Sequence, residues 1–130
     1  SQGVQIAEHL SRRGFRVVAF DPLSSEMSVP EHGWSFLVLD SLQDCLQQSQ
    51  TVIVTTPDPL FASLTEEDFA GQWATVNVFD LWRILRDQLS RSERIIYRGA
   101  GLGVDSSAAS QRLKDIWTSP EDSAVVAGRH

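Results

Sequence analysis

Between Thr51 and Thr56 the chain reads TVIVTT, dense in β-branched residues and without any polar-apolar alternation in its centre. A strand with one face in water alternates, whereas a run that is apolar at successive positions belongs to a strand covered on both faces. Arg16 to Phe20 (RVVAF) and Ala74 to Phe79 (ATVNVF) have the same character, and RIIY at Arg94 to Tyr97 is a shorter example. Helical periodicity separates these runs. Val4, Ala7 and Leu10 recur at helical spacing before the first, with Ser1 as a cap and Gly14 as a C-terminal stop. Leu42, Cys45 and Leu46 form an inward stripe in DSLQDCLQQS, capped by Asp40 or Ser41, and Leu81, Ile84, Leu85 and Leu89 form another in DLWRILRDQLS. WSFLVLD reads as a short strand, and Pro57 and Pro59 break PDPLFASLTEEDFAG into short helical turns. Helices alternating with doubly covered strands predict an α/β fold, a three-layer Rossmann-like doubly wound parallel sheet.

One element is out of place. A doubly wound domain ordinarily opens on its central strand, and this sequence opens on the helix that would follow it. The expectation is a sheet lacking its first central strand, in a piece of a longer protein, with an apolar slot open to strand exchange or homodimer formation. Residues 1–103 are read as the Rossmann-like fragment and 104–130 as an irregular tail, in which ASQRLKDIW is helical and SAVVA a short strand or a disordered end.

Eleven Lys and Arg against seventeen Asp and Glu leave a net charge of −6. That balance argues against a general nucleic-acid or anionic-membrane binder and permits only a local basic pocket for phosphate. The single cysteine rules out an internal disulfide and reads most easily as cytoplasmic. Cys45 lies on a helical stripe with no basic neighbour, so it reads as a core thiol, and no catalytic residue is expected. His9, His32 and His130 share no ligand spacing, so no metal is expected.

Ligands of open α/β sheets bind outside the carboxyl ends of the strands. Thr55, Thr56 and Asp58 follow one such strand, and Asp80, Trp82 and Arg83 follow the next, which makes these six the candidate substrate-binding residues. Each has a plainer reading. Thr and Asp side chains cap turns; Asp80 caps a helix starting at Leu81; Trp82 is exposed or stacks; Arg83 pairs with Asp87 or forks onto a diphosphate. Asp21, at the end of the first strand, raises a separate question, because an acid there holds a ribose hydroxyl in dinucleotide-binding domains.

Two resemblances bear on that question. GVQIAEHLSRRGFRVVAFD is similar to the latter half of a dinucleotide fingerprint, with Gly3 as its third glycine and Asp21 as its ribose acid. A longer series, in order and spacing, resembles the C-terminal UDP-sugar-binding domain of the UDP-glucose/GDP-mannose dehydrogenase family. It comprises Ser1-Gln2, Val17 to Pro22, Leu42 to Gln47, Thr51 to Thr56, Asp58 with Phe61, Val78 to Asp80 with Arg83, and Tyr97 to Gly101. Pro22 directly after Asp21 and the terminal YRGAGLG fit this second pattern better than the first. The resemblance implies a cytoplasmic enzyme of polysaccharide biosynthesis that oxidises the sugar's C6 alcohol to a carboxylate in two NAD-dependent steps. On that reading an N-terminal domain binds NAD, a central domain holds the catalytic cysteine, and the present chain binds the UDP-sugar and is inactive alone. NAD is then the cofactor of the full-length enzyme, and the N-terminal and central domains are partners. The family's Asp-Gly-Arg appears here as Asp80-Leu81-Trp82-Arg83, so Trp82 stands at the arginine's place and Arg83 falls one residue later. On a helix that shift rotates a side chain by about 100°. An NAD(P)-binding domain built on Asp21 and a non-catalytic Rossmann-like assembly or regulatory module are the alternative readings.

Overall fold

The computed structural model describes residues 2–22 and 35–100 in full and 123–127 as backbone. The helix expected in ASQRLKDIW lies outside these described residues. The first helix, α1 (Gln2–Arg12), buries Gly3, Ala7 and Leu10. Gly14 then takes φ 96, a left-handed conformation that glycine alone adopts without strain. With it the Phe15 amide reaches back to the Leu10 carbonyl, and the chain turns into β1 (Arg16–Phe20).

The elements that follow are β2 (Leu37–Leu39), α2 (Leu42–Gln47), β3 (Thr51–Val54), α3 (Pro59–Ala62), a 3-10 turn at Glu66–Asp68, β4 (Val76–Asp80), α4 (Arg86–Leu89), β5 (Ile95–Gly99) and β6 (Ser123–Ala127). All strand pairings are parallel, in one six-stranded sheet of order β2-β1-β6-β3-β4-β5. The doubly wound α/β fold is thus present. Alternate residues of each strand feed two separate cores, because successive side chains leave a strand on opposite faces. Val18, Phe20, Val52, Val54, Val76 and Val78 pack with Leu42, Cys45, Leu46, Phe61, Leu85 and Leu89 on one side. Val17, Ala19, Ile53 and Phe79 pack with Ala7, Leu10 and Phe15 on the other. This is why the strand sequences are apolar at nearly every step.

Two expectations are corrected. The central place in the sheet is filled: β6 pairs with β1 from Arg16↔Ser123 to Phe20↔Ala127 and with β3 from Thr51↔Ala124 to Val54↔Ala127. A vacancy there would leave two rows of backbone N–H and C=O groups without partners, and SAVVA supplies both rows at once. The supposed open slot, and dimer formation through it, therefore have no basis, and the edges of the sheet are β2 and β5. The second correction concerns DLWRILRDQLS, which is helical only over α4. Residues 81–85 are turns, and Arg83 has φ 56, outside the helical region.

Candidate functional site

The turns after β3 and β4 lie side by side because their strands are hydrogen-bonded neighbours. Two bonds tie one turn to the other. The Leu81 amide donates to the Val54 carbonyl at 3.1 Å, and the indole Nε1–H of Trp82 donates to the Thr55 carbonyl at 3.0 Å. Trp82 is nevertheless 56% exposed, so its ring is oriented by one edge and open to solvent over its face.

Of the six candidates, Thr55 and Thr56 are buried at the end of β3. Thr56 Oγ1 is a buried hydroxyl with no hydrogen-bond partner among the described residues. Asp58 is committed locally: its Oδ1 accepts from the Leu60 amide at 2.8 Å and caps α3, whose first residue is Pro59. Phe61, the aromatic residue of that turn, belongs to the core, where its ring meets Phe20 edge-on at 6.2 Å.

Asp80 is fully buried and its carboxylate is well supplied with donors. Oδ1 accepts from the Trp82 amide at 3.3 Å, while Oδ2 accepts from the Leu85 amide at 2.7 Å and from the Tyr97 hydroxyl at 2.8 Å. Such short side-chain-to-backbone bonds compete with the helical ladder, which explains why residues 81–85 turn instead of coiling. Asp80 caps no helix at Leu81; it organises an irregular turn. Its backbone carbonyl also accepts from the Ala100 amide at 3.1 Å, so β5 closes over the same point.

Arg83 is exposed and makes no ion pair among the described residues, so the pairing with Asp87 does not form. Its stem lies against β5: a Cβ placed on Gly99 would stand 3.0 Å from Arg83 Cγ and 3.1 Å from the Tyr97 hydroxyl. Glycine at 99 accommodates that close approach, since an added Cβ would make the arginine stem or the phenol give by a few tenths of an ångström. Burial, followed by the hydrogen bond and charge of Asp80, pushes the Tyr97 phenol well above the ordinary tyrosine range, while Arg83 and Arg86 act on it in the opposite direction. Two guanidinium groups therefore stand near the end of β4 in a chain that is acidic overall.

Tyr97 and Gly99 were not among the candidates, although both stand in YRGAGLG, a stretch that carried part of the family resemblance. Arg94 was missed as well. Its guanidinium donates to the Glu66, Phe69 and Ala70 carbonyls and staples the segment before β4 to the start of β5. Cys45 is fully buried, and burial, with a smaller contribution from the Asp44 charge, pushes its thiol up to about 12, as befits a core residue. Asp21 is 4% exposed and engaged within the protein.

A parallel doubly wound sheet with a polar cluster at the carboxyl ends of neighbouring strands defines a Rossmann-like α/β domain of the ligand-binding kind. The model of the UDP-glucose/GDP-mannose dehydrogenase family, UDP binding domain, matches residues 1–87. The chain belongs to that family. No match was found among curated proteins or solved structures.

Proposed function

We propose that the chain binds a UDP-sugar at the carboxyl ends of β3 and β4, as the nucleotide-sugar domain of an NAD-dependent nucleotide-sugar 6-dehydrogenase, and performs no catalysis by itself. The observation that carries this reading is the Trp82-Arg83 turn. It sets an edge-anchored, face-exposed indole next to a guanidinium that no acid of the described residues neutralises. An aromatic face accepts a base by stacking, worth about 1–3 kcal/mol. A guanidinium accepts a diphosphate through paired charge-assisted bonds. Thr56 adds a hydroxyl in need of a partner, while Asp58 and Asp80 shape the two turns.

NAD is assigned to the N-terminal domain of the full-length enzyme on this reading, and Asp21, the acid of the alternative dinucleotide reading, is buried and engaged within the protein. The hydride chemistry falls to the N-terminal and central domains that the family reading supplies as partners, and a buried thiol such as Cys45 offers no nucleophile. No helix of the described residues is long and apolar enough to cross a membrane. A cytoplasmic role in supplying oxidised sugars for polysaccharide synthesis is part of the same proposal.

Calorimetric titration tests it. UDP is expected to bind, with GDP weaker and NAD not at all. Arg83→Ala should weaken UDP about tenfold or more, the equivalent of about 1.4 kcal/mol, and added salt should weaken it further. NAD binding that depends on Asp21 would restore the dinucleotide reading. Failure to bind any nucleotide would leave the assembly module, and NADH formation from UDP-glucose by this chain would refute its inactivity.

A further inference from the structure

We infer that Tyr97 is a positioning residue for the nucleotide-binding turn: through the Asp80 carboxylate, its hydroxyl sets where Trp82 and Arg83 stand. The inference rests on the reading just proposed and extends it to a residue that touches neither base nor phosphate.

Residues 81–85 have no regular ladder to hold them. Arg83 sits at φ 56, a left-handed conformation that is disfavoured for a residue bearing a Cβ unless its surroundings enforce it. The enforcing group is Asp80. Its two oxygens grip the turn near both ends, at the Trp82 and Leu85 amides, and so fix the residues between. Both of those amides belong to the turn itself, so a donor from outside the turn is what ties the carboxylate, and the turn with it, to the sheet. Tyr97 provides that donor, at 2.8 Å to the same oxygen that takes the Leu85 amide.

Tyr97 is itself well placed to act as a fixed reference. It lies in β5, paired with Val78 of β4, two residues before the Asp80↔Gly99 pair. The sheet therefore sets the distance from phenol to carboxylate. Strand β5 also seats the arginine, because the missing side chain of Gly99 leaves room for the Arg83 stem beside the Tyr97 hydroxyl. One strand thus anchors the carboxylate and bounds the stem of Arg83. The phenol pKa is raised first by burial and then by the Asp80 hydrogen bond and charge, and the second contribution is the one this arrangement adds.

The chain contains one tyrosine, so the ultraviolet signal of tyrosinate reports Tyr97 alone. Asp80→Asn is expected to bring its ionisation down towards the ordinary range; an unmoved titration would overturn the pairing. The positioning role is tested by a double-mutant cycle on UDP affinity. Tyr97→Phe, which keeps the ring and removes the hydroxyl, should weaken UDP about tenfold. In that background Arg83→Ala should cost no more than about twofold, because a guanidinium no longer held in place has little left to lose. An equal tenfold cost in both backgrounds would overturn positioning while leaving the binding site intact. Should Tyr97→Phe fail to fold, Asp80→Asn enters the same cycle with the same expected coupling. A wild-type chain that takes up no UDP would remove the proposed function and this role together.

Discussion

Cys45 and Asp80 are both fully buried, and their polar atoms meet different surroundings. The thiol escapes the cost by staying protonated, and its pKa is pushed from 9.0 to about 12. The carboxylate is instead met by two amides and a phenol. For Cys45 the sign of the linkage follows directly. The unfolded chain loses the thiol proton near pH 9 and the folded chain keeps it to about pH 12, so the stability held below pH 9 is lost as pH rises across that window. Tyr97, also raised, contributes in the same direction. The urea midpoint should therefore fall as pH rises above about 9, and Cys45→Ala should flatten the fall while lowering the midpoint at neutral pH. A variant profile parallel to wild type would refute the assignment. The buried fate of Cys45 was legible because its neighbours Leu42 and Leu46 share its stripe. The partners of Asp80 were not, because Tyr97 is 17 residues away and meets it only through strand pairing.

At the scale of elements, agreement between sequence and structure follows how local the governing force is. The stripe of α1, the glycine stop at Gly14 and the break at Pro59 act within a few residues, and each element forms as its sequence suggests. The segment 81–89 has an equally good stripe, but its start is taken by the Asp80 carboxylate and only α4 remains helical. Capping at α3 is the clean local case. Asp58→Ala removes the bond to the Leu60 amide and should destabilise the fold by about 1 kcal/mol, read from urea denaturation. An unchanged midpoint would show that the cap adds nothing to so short a helix.

For the whole molecule the deciding element is β6. It joins β1 to β3, and without it the strands would fall into one pair, β2-β1, and one triplet, β3-β4-β5. Its backbone is paired on both sides, with Val126 opposite Ala19 on one strand and Ile53 on the other. Proline at this position removes a ladder donor in the middle of a sheet, so Val126→Pro should destabilise the fold strongly, with loss of cooperative unfolding by circular dichroism. Retention of the wild-type transition would show that the sheet does not depend on this strand.

The sequence by itself determined most of the strands and the helices α1 and α2, that the strands are covered on both faces, and that polar residues follow β3 and β4. Hydrophobic period and turn chemistry are properties of neighbouring residues and can be read along the chain. The six candidate residues were proposed on the same ground, since strand ends are local features. Only the tertiary structure decided that SAVVA enters the centre of the sheet, that Asp80 bends residues 81–85 away from a helix, and that Tyr97 and Gly99 close upon Arg83. These outcomes depend on which distant strands pair, and the backbone hydrogen bonds between strands are made by groups that every residue carries, so the pairing is not a feature of neighbouring residues.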